Sequence, residues 1–165
     1  MSSQFTIHRL VCSTPPGLEE ERDLFLAAIA TFAERVTMPE WVLLAPASFR
    51  DGFNADLLQA AIKDNIKYST FFLGIFGQDP VDPVFKRLVE YAVECAENPE
   101  RPMRRVTVLF KDAGDVSPQV NREMQTLRAR LTPICEVRVF SGPGALPAIF
   151  EEVLTEWYAL VRPAK

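Results

Sequence analysis

Histidine is nearly missing from this chain: His8 is the only one in 165 residues. The three cysteines, Cys12, Cys95 and Cys135, are widely spaced and each sits in a largely apolar stretch. Zinc sites draw on closely spaced Cys and His, so no metal is expected. An odd set of thiols without a CxxC pair suits a reducing compartment better than a disulfide framework. No apolar run approaches the roughly 20 residues that span a bilayer. The opening MSSQFTIHRLVCS has neither the basic start nor the long apolar run of a secretory signal. A cytoplasmic location with no membrane partner is therefore expected. Charge of one sign is scarce too: the net charge is −4, and no like-charge block exceeds Glu19-Glu20-Glu21. Nucleic-acid surfaces need clustered cations to neutralise phosphates, and the nearest group, Arg101, Arg104 and Arg105, reads as a solvated loop before a strand. No nucleic-acid partner is expected. Glycine-rich phosphate loops are lacking as well: there is no GxxxxGK[ST], and the first turn is STPPG rather than GxGxxG. No cofactor is called for.

What is present is the balance of a globular protein, 48% hydrophobic and 24% charged. A single domain over 1–165 is long enough to bury about two-thirds of the surface its unfolded chain exposes. Short apolar runs predict strands at 5–12, 41–44, 70–76, 105–110 and 135–140, with a long loop at 45–53. Helical spacing of apolar residues predicts helices at 18–35, after Asn54 as N-cap, at 84–97, from Ser117-Pro118, and after Gly142-Pro143-Gly144. The run TFFLGIF is apolar throughout, as in a strand covered on both faces. Strict strand-helix alternation implies an α/β, doubly wound, flavodoxin-like domain: a five-stranded parallel sheet in the order 2-1-3-4-5, with helices on both faces.

Ligands of such folds sit beyond the carboxyl ends of the strands, near the switch point between strands one and three. That directs attention to 13–17, 46–54, 77–83 and 111–118. Ser13 and Thr14 could hold a phosphate with free helix amides, but three glutamates in that first turn would repel it. Turn and capping roles compete for both residues. His8 lies within a strand and no GxSxG elbow exists, so a Ser-His-Asp site is not expected. Asp79 and Asp82 stand in an acidic loop, Asp82 placed as N-cap of the next helix. Glu90, two turns into that helix, is off its apolar stripe, one turn beyond Lys86 and Arg87 and within reach of solvated ion pairs.

Three stretches carry a resemblance. In 10–23, a strand ends in Cys-Ser-Thr and the following helix carries Leu18, Glu21 and Arg22. Tyr68 to Gly77 is an apolar strand ending in Gly. Leu88-Val-Glu-Tyr-Ala is followed by a strand ending Leu109-Phe110-Lys111-Asp112. Together, over about 5–115, they resemble the domain of unknown function 4062 family. That family looks related to TIR domains and nucleoside deoxyribosyltransferases. The resemblance implies a TIR-like nucleotide- or nucleoside-binding domain, with NAD-type ligands among the candidates, in which the matching glutamate, Glu90, is catalytic in cleaving an N-glycosidic bond. Ser13, Thr14, Asp79 and Asp82 would then be ligand-binding. Such a carboxylate stabilises an oxocarbenium-like centre or attacks it. Ser69 stands where relatives carry an acid, and Gln78-Asp79 where they carry Arg-Tyr, which implies altered chemistry or lost catalysis. The alternative is a non-catalytic module that assembles with itself, as a homo-oligomer, or with a protein partner. Phe49, Phe53, Trp157 or Tyr158 would mark its surface if exposed, although core packing suits Trp157 better.

Overall fold

In a computed structural model the chain is described over residues 4–48, 55–78, 80–112, 114 and 116–164, with the backbone alone at Ser48 and 55–59. Five parallel strands alternate with helices: β1 Thr6–Ser13, α1 Glu19–Phe32, β2 Val42–Ser48, α2 Ala55–Lys67, β3 Phe71–Phe76, α3 Pro83–Glu97, β4 Arg105–Lys111, α4 Pro118–Leu131, β5 Glu136–Phe140 and α5 Leu146–Val161. The order across the sheet is β2-β1-β3-β4-β5, as the alternation predicted.

Period-two alternation sends the strand residues to two cores. Leu10, Cys12, Leu73, Ile75 and Leu109 pack under α1 and α5. Val11, Phe72, Phe76, Val108 and Phe110 pack under α2, α3 and α4. All of β3 is buried, which is why it reads as a continuous apolar run. Gly74 lets α3 come close, since a Cβ there would lie 3.3 Å from Phe85 and 3.4 Å from Val89.

Two expected caps are in place. The Asp82 carboxylate accepts from the amides of Val84 at 2.8 Å and Phe85 at 3.3 Å. The Ser117 hydroxyl accepts from Val120 N–H at 3.3 Å. The predicted loop at 45–53 is a strand as far as Ser48. Pro46 disguised it, yet β2 is an edge strand, where a proline nitrogen turned to the open side costs no ladder bond. Asn54, Phe49 and Phe53 lie outside the described residues. The first helix departs from expectation at its end, where Ala33–Thr37 widens into a π turn and Met38–Glu40 tightens into a 3₁₀ turn. Trp41 then takes a left-handed φ of 62°, uncommon for a bulky side chain, with its ring 5.0 Å from Phe5.

Trp157 and Tyr158 are buried. Trp157 is a core residue: its indole stacks on Phe71, centroids 4.8 Å apart, and its Nε1–H donates to Thr107 Oγ1 at 3.1 Å. The Thr107 hydroxyl in turn reaches Glu136 at 3.3 Å. Arg138 bonds Glu136, Glu152 and Glu156, so a polar chain runs from the core to the surface of α5.

Candidate functional site

The carboxyl edge of the sheet brings together the end of β1, the exit of β3 and the exit of β4. Ser13 is the last residue of β1 and is buried, whereas Thr14 follows it half-buried. Neither caps α1, whose N-cap position is Leu18 with no side-chain cap bond, so their expected capping role is not realised. Glu19 folds back instead, its carboxylate accepting from Gly17 N–H at 3.1 Å. That bond, with Glu19's own amide, holds Glu19 below the usual carboxylate range. A carboxylate of the chain itself thus occupies the turn where a flavodoxin-type phosphate would sit.

Glu21 and Arg22, which carry part of the family resemblance, are buried. The Glu21 carboxylate accepts from Lys111 Nζ at 3.0 Å, tying α1 to the end of β4. Gln78 ties the neighbouring exit, its Nε2 donating to the Asp112 carbonyl at 2.7 Å. Sequence reasoning missed the Glu21–Lys111 pair because its members are far apart in the chain. The hint was a third glutamate at helical position three, turned inward with Arg22.

Glu90 is half-buried, and its ion-pair partner is Arg130 of α4, not Lys86 or Arg87 of its own helix. α3 packs against α2, and a groove of about 690 Å³ separates it from α4. That volume lies within the range of small-molecule sites. Lys86 from α3 and Arg122 and Arg130 from α4 supply positive charge over a floor of Val81, Pro83 and Leu127, with Glu123 opposing them. Glu90 follows Lys86 by four residues, on the same helical face, and adjoins the groove through Arg130. Asp82 stands in the chain between two lining residues, Val81 and Pro83, but is not itself in the groove wall, and its Oδ1 is committed to the α3 amides. Ser13 and Thr14 are not in the groove wall among the described residues. Asp79 lies outside the described residues. The candidates therefore divide between the end of β1 and the α3–α4 groove.

Burial pushes the Cys12 thiol up to about 12 and that of Cys135 up to about 11. Burial also raises Cys95. None of the described Cys, His, Asp and Glu residues cluster in a set able to hold a metal ion. No described helix is long and apolar enough to cross a membrane.

No family model matches the chain, and no curated protein matches it in sequence. Among solved structures, a conserved protein from Enterococcus faecalis aligns over 90% of this chain and 99% of its own, at 10% identity and a TM-score of 0.49. A point mutant of the PilB minor pilin from Streptococcus sanguinis aligns over 99% of this chain at 10% identity and a TM-score of 0.55. This chain spans 65% of that pilin. At 10% identity the likeness to the pilin is one of fold alone.

Proposed function

We propose that the α3–α4 groove binds an anionic nucleotide-type ligand, and that Glu90 acts on its ribosyl carbon once the ligand has drawn Arg130 away. The observation that carries the reading is the double position of Arg130, which lines the groove and holds Glu90. A carboxylate neutralised by a guanidinium is a poor partner for an oxocarbenium-like centre, whereas a released one is a good partner. Phosphates bind guanidinium bidentately and would compete for Arg130. Binding and release of Glu90 are then one event. In the cleavage, the C–N bond to the base breaks and its electron pair leaves with the base. Water gives its hydroxyl to the ribosyl carbon; its proton goes to a departing purine or pyrimidine, or to solvent when the base is a cationic nicotinamide that leaves neutral. Supporting this reading are the motif resemblance around Glu90 and the cationic walls over an apolar floor, which suit phosphate and base together.

Calorimetric titration with ADP-ribose and NAD, beside chromatography of released base, tests it. ADP-ribose should bind, Arg130→Ala should weaken binding about tenfold, and Glu90→Gln should bind without releasing base. If no phosphate-bearing nucleotide binds, the groove reading is wrong. If ligands bind and the parent protein releases no base, the domain is a binding module. That second reading is favoured by one feature, the closure of Glu90 in an ion pair.

A further inference from the structure

The opposite, amino-terminal edge of the sheet is ragged. β1 pairs with β2 from Thr6 onward, but with β3 only from Leu10. Thr6 N–H donates to the Trp41 carbonyl at 2.9 Å, on the β2 side, and Thr70 N–H donates to the Arg9 carbonyl at 2.7 Å, on the β3 side. Alternate residues of a parallel strand turn their peptide groups to opposite neighbours, so Ile7 and Arg9 share the β3 side. The N–H and C=O of Ile7 and the N–H of Arg9 thus face a gap, without a ladder partner among the described residues.

That gap is a cavity of about 780 Å³, walled by residues 6–9 of β1, Tyr68, Arg104 and the end of α5 at Leu160. Its apolar walls are open to solvent: Ile7 is 57% exposed, Tyr68 51% and Leu160 42%. Arg162 is held by Glu40 at 2.7 Å. Arg9 and Arg104 have no salt-bridge carboxylate among the described residues. Burial, and then the nearby Arg104, keep His8 below the usual imidazole range, so the arginines carry the charge of this slot near neutral pH. Two uncompensated cations in one slot of a chain with net charge −4 favour an acidic occupant.

We propose that this slot takes an extended acidic segment of a partner protein, added as a short strand beside residues 6–9. Open peptide groups ask for a backbone, the arginines ask for carboxylates, and Leu160, on the α5 face of the sheet, asks for an apolar side chain on the same segment. An extended peptide alternating acidic and apolar residues supplies all three at once. A free phosphate would satisfy the arginines alone and leave the strand edge and apolar walls unmet. The slot lies at the far end of the sheet from the α3–α4 groove and stands or falls independently of the nucleotide reading.

Fluorescence anisotropy with a labelled peptide alternating Glu and Val tests the proposal. Saturable binding that weakens with salt is expected, falling about tenfold or more in Arg104→Glu and likewise in Arg9→Glu. Both side chains are exposed, and unchanged thermal melting of each variant separates lost binding from lost folding. Methylating the peptide's backbone nitrogens should cost at least as much, because it removes the strand bonds. No saturable binding, equal binding of a Lys/Val peptide, equal binding of the N-methylated peptide, or full displacement by inorganic phosphate would each overturn it, the last marking a simple anion site.

Discussion

Replacing Thr107 by Val removes a hydroxyl and keeps the shape, at a site with no solvent exposure. Two bonds end. The first is the Trp157 Nε1–H bond at 3.1 Å, buried at both ends. Water cannot replace that acceptor, and an orphaned buried N–H costs about 1–3 kcal/mol. The second is the contact to Glu136 at 3.3 Å, where Arg138 still bonds the carboxylate at 2.8 Å, so its loss adds little. The expected total is about 2 kcal/mol. For a domain of this size, a slope near 2 kcal/mol per molar urea makes that a midpoint shift of about 1 M with the slope unchanged. The decisive assay is a double-mutant cycle with Trp157→Phe. Phe keeps an aromatic ring against Phe71 but has no N–H, so in that background Thr107→Val should be close to neutral. A coupling of about 1–2 kcal/mol is expected. If Thr107→Val costs the same in both backgrounds, the hydrogen bond contributes nothing and the argument from an orphaned donor fails.

His8 and Cys12 give two further tests. Because His8 titrates below its unfolded value of 6.5, protonation favours the unfolded chain. Its contribution to stability is present above that value and is lost as pH falls through the folded pKa. Urea midpoints should therefore decline as pH falls below His8's unfolded value of 6.5, and His8→Gln should flatten that decline; an unchanged slope refutes the assignment. The Cys12 thiol, pushed up to about 12 by burial, should resist a disulfide reagent in the native state and react on unfolding; rapid native labelling at that position would contradict the burial.

The sheet order, both working caps and the two-sided burial of β3 were legible in the sequence because each follows from local chemistry. TFFLGIF suits a covered strand, and Asp82-Pro83 and Ser117-Pro118 are helix starts that need no tertiary help. The carboxyl half of β2 was hidden by Pro46, a residue whose meaning depends on whether its strand is at an edge. The site was less readable for the same kind of reason. Arg130 is 40 residues along the chain from Glu90, and Lys111 is 90 from Glu21, so no spacing rule could pair them. The neighbouring cations Lys86 and Arg87 pointed the wrong way. The gap beside β1 was invisible too, because it arises from where β3 begins relative to β1, a matter of register rather than composition.

The pairing of α1 with α5 has a consequence for how the protein is made. Tyr158 and Arg162 both bond Glu40, Arg35 holds Glu151, and Trp157 covers Phe71 and Phe25. One face of the sheet is therefore sealed by a helix synthesised long after the strands it covers. Until the ribosome has delivered α5, Phe25, Phe71 and their neighbours have no lid, and the growing chain carries an open apolar face into the cell. The other face, under α2, α3 and α4, can close earlier from segments close together in the chain.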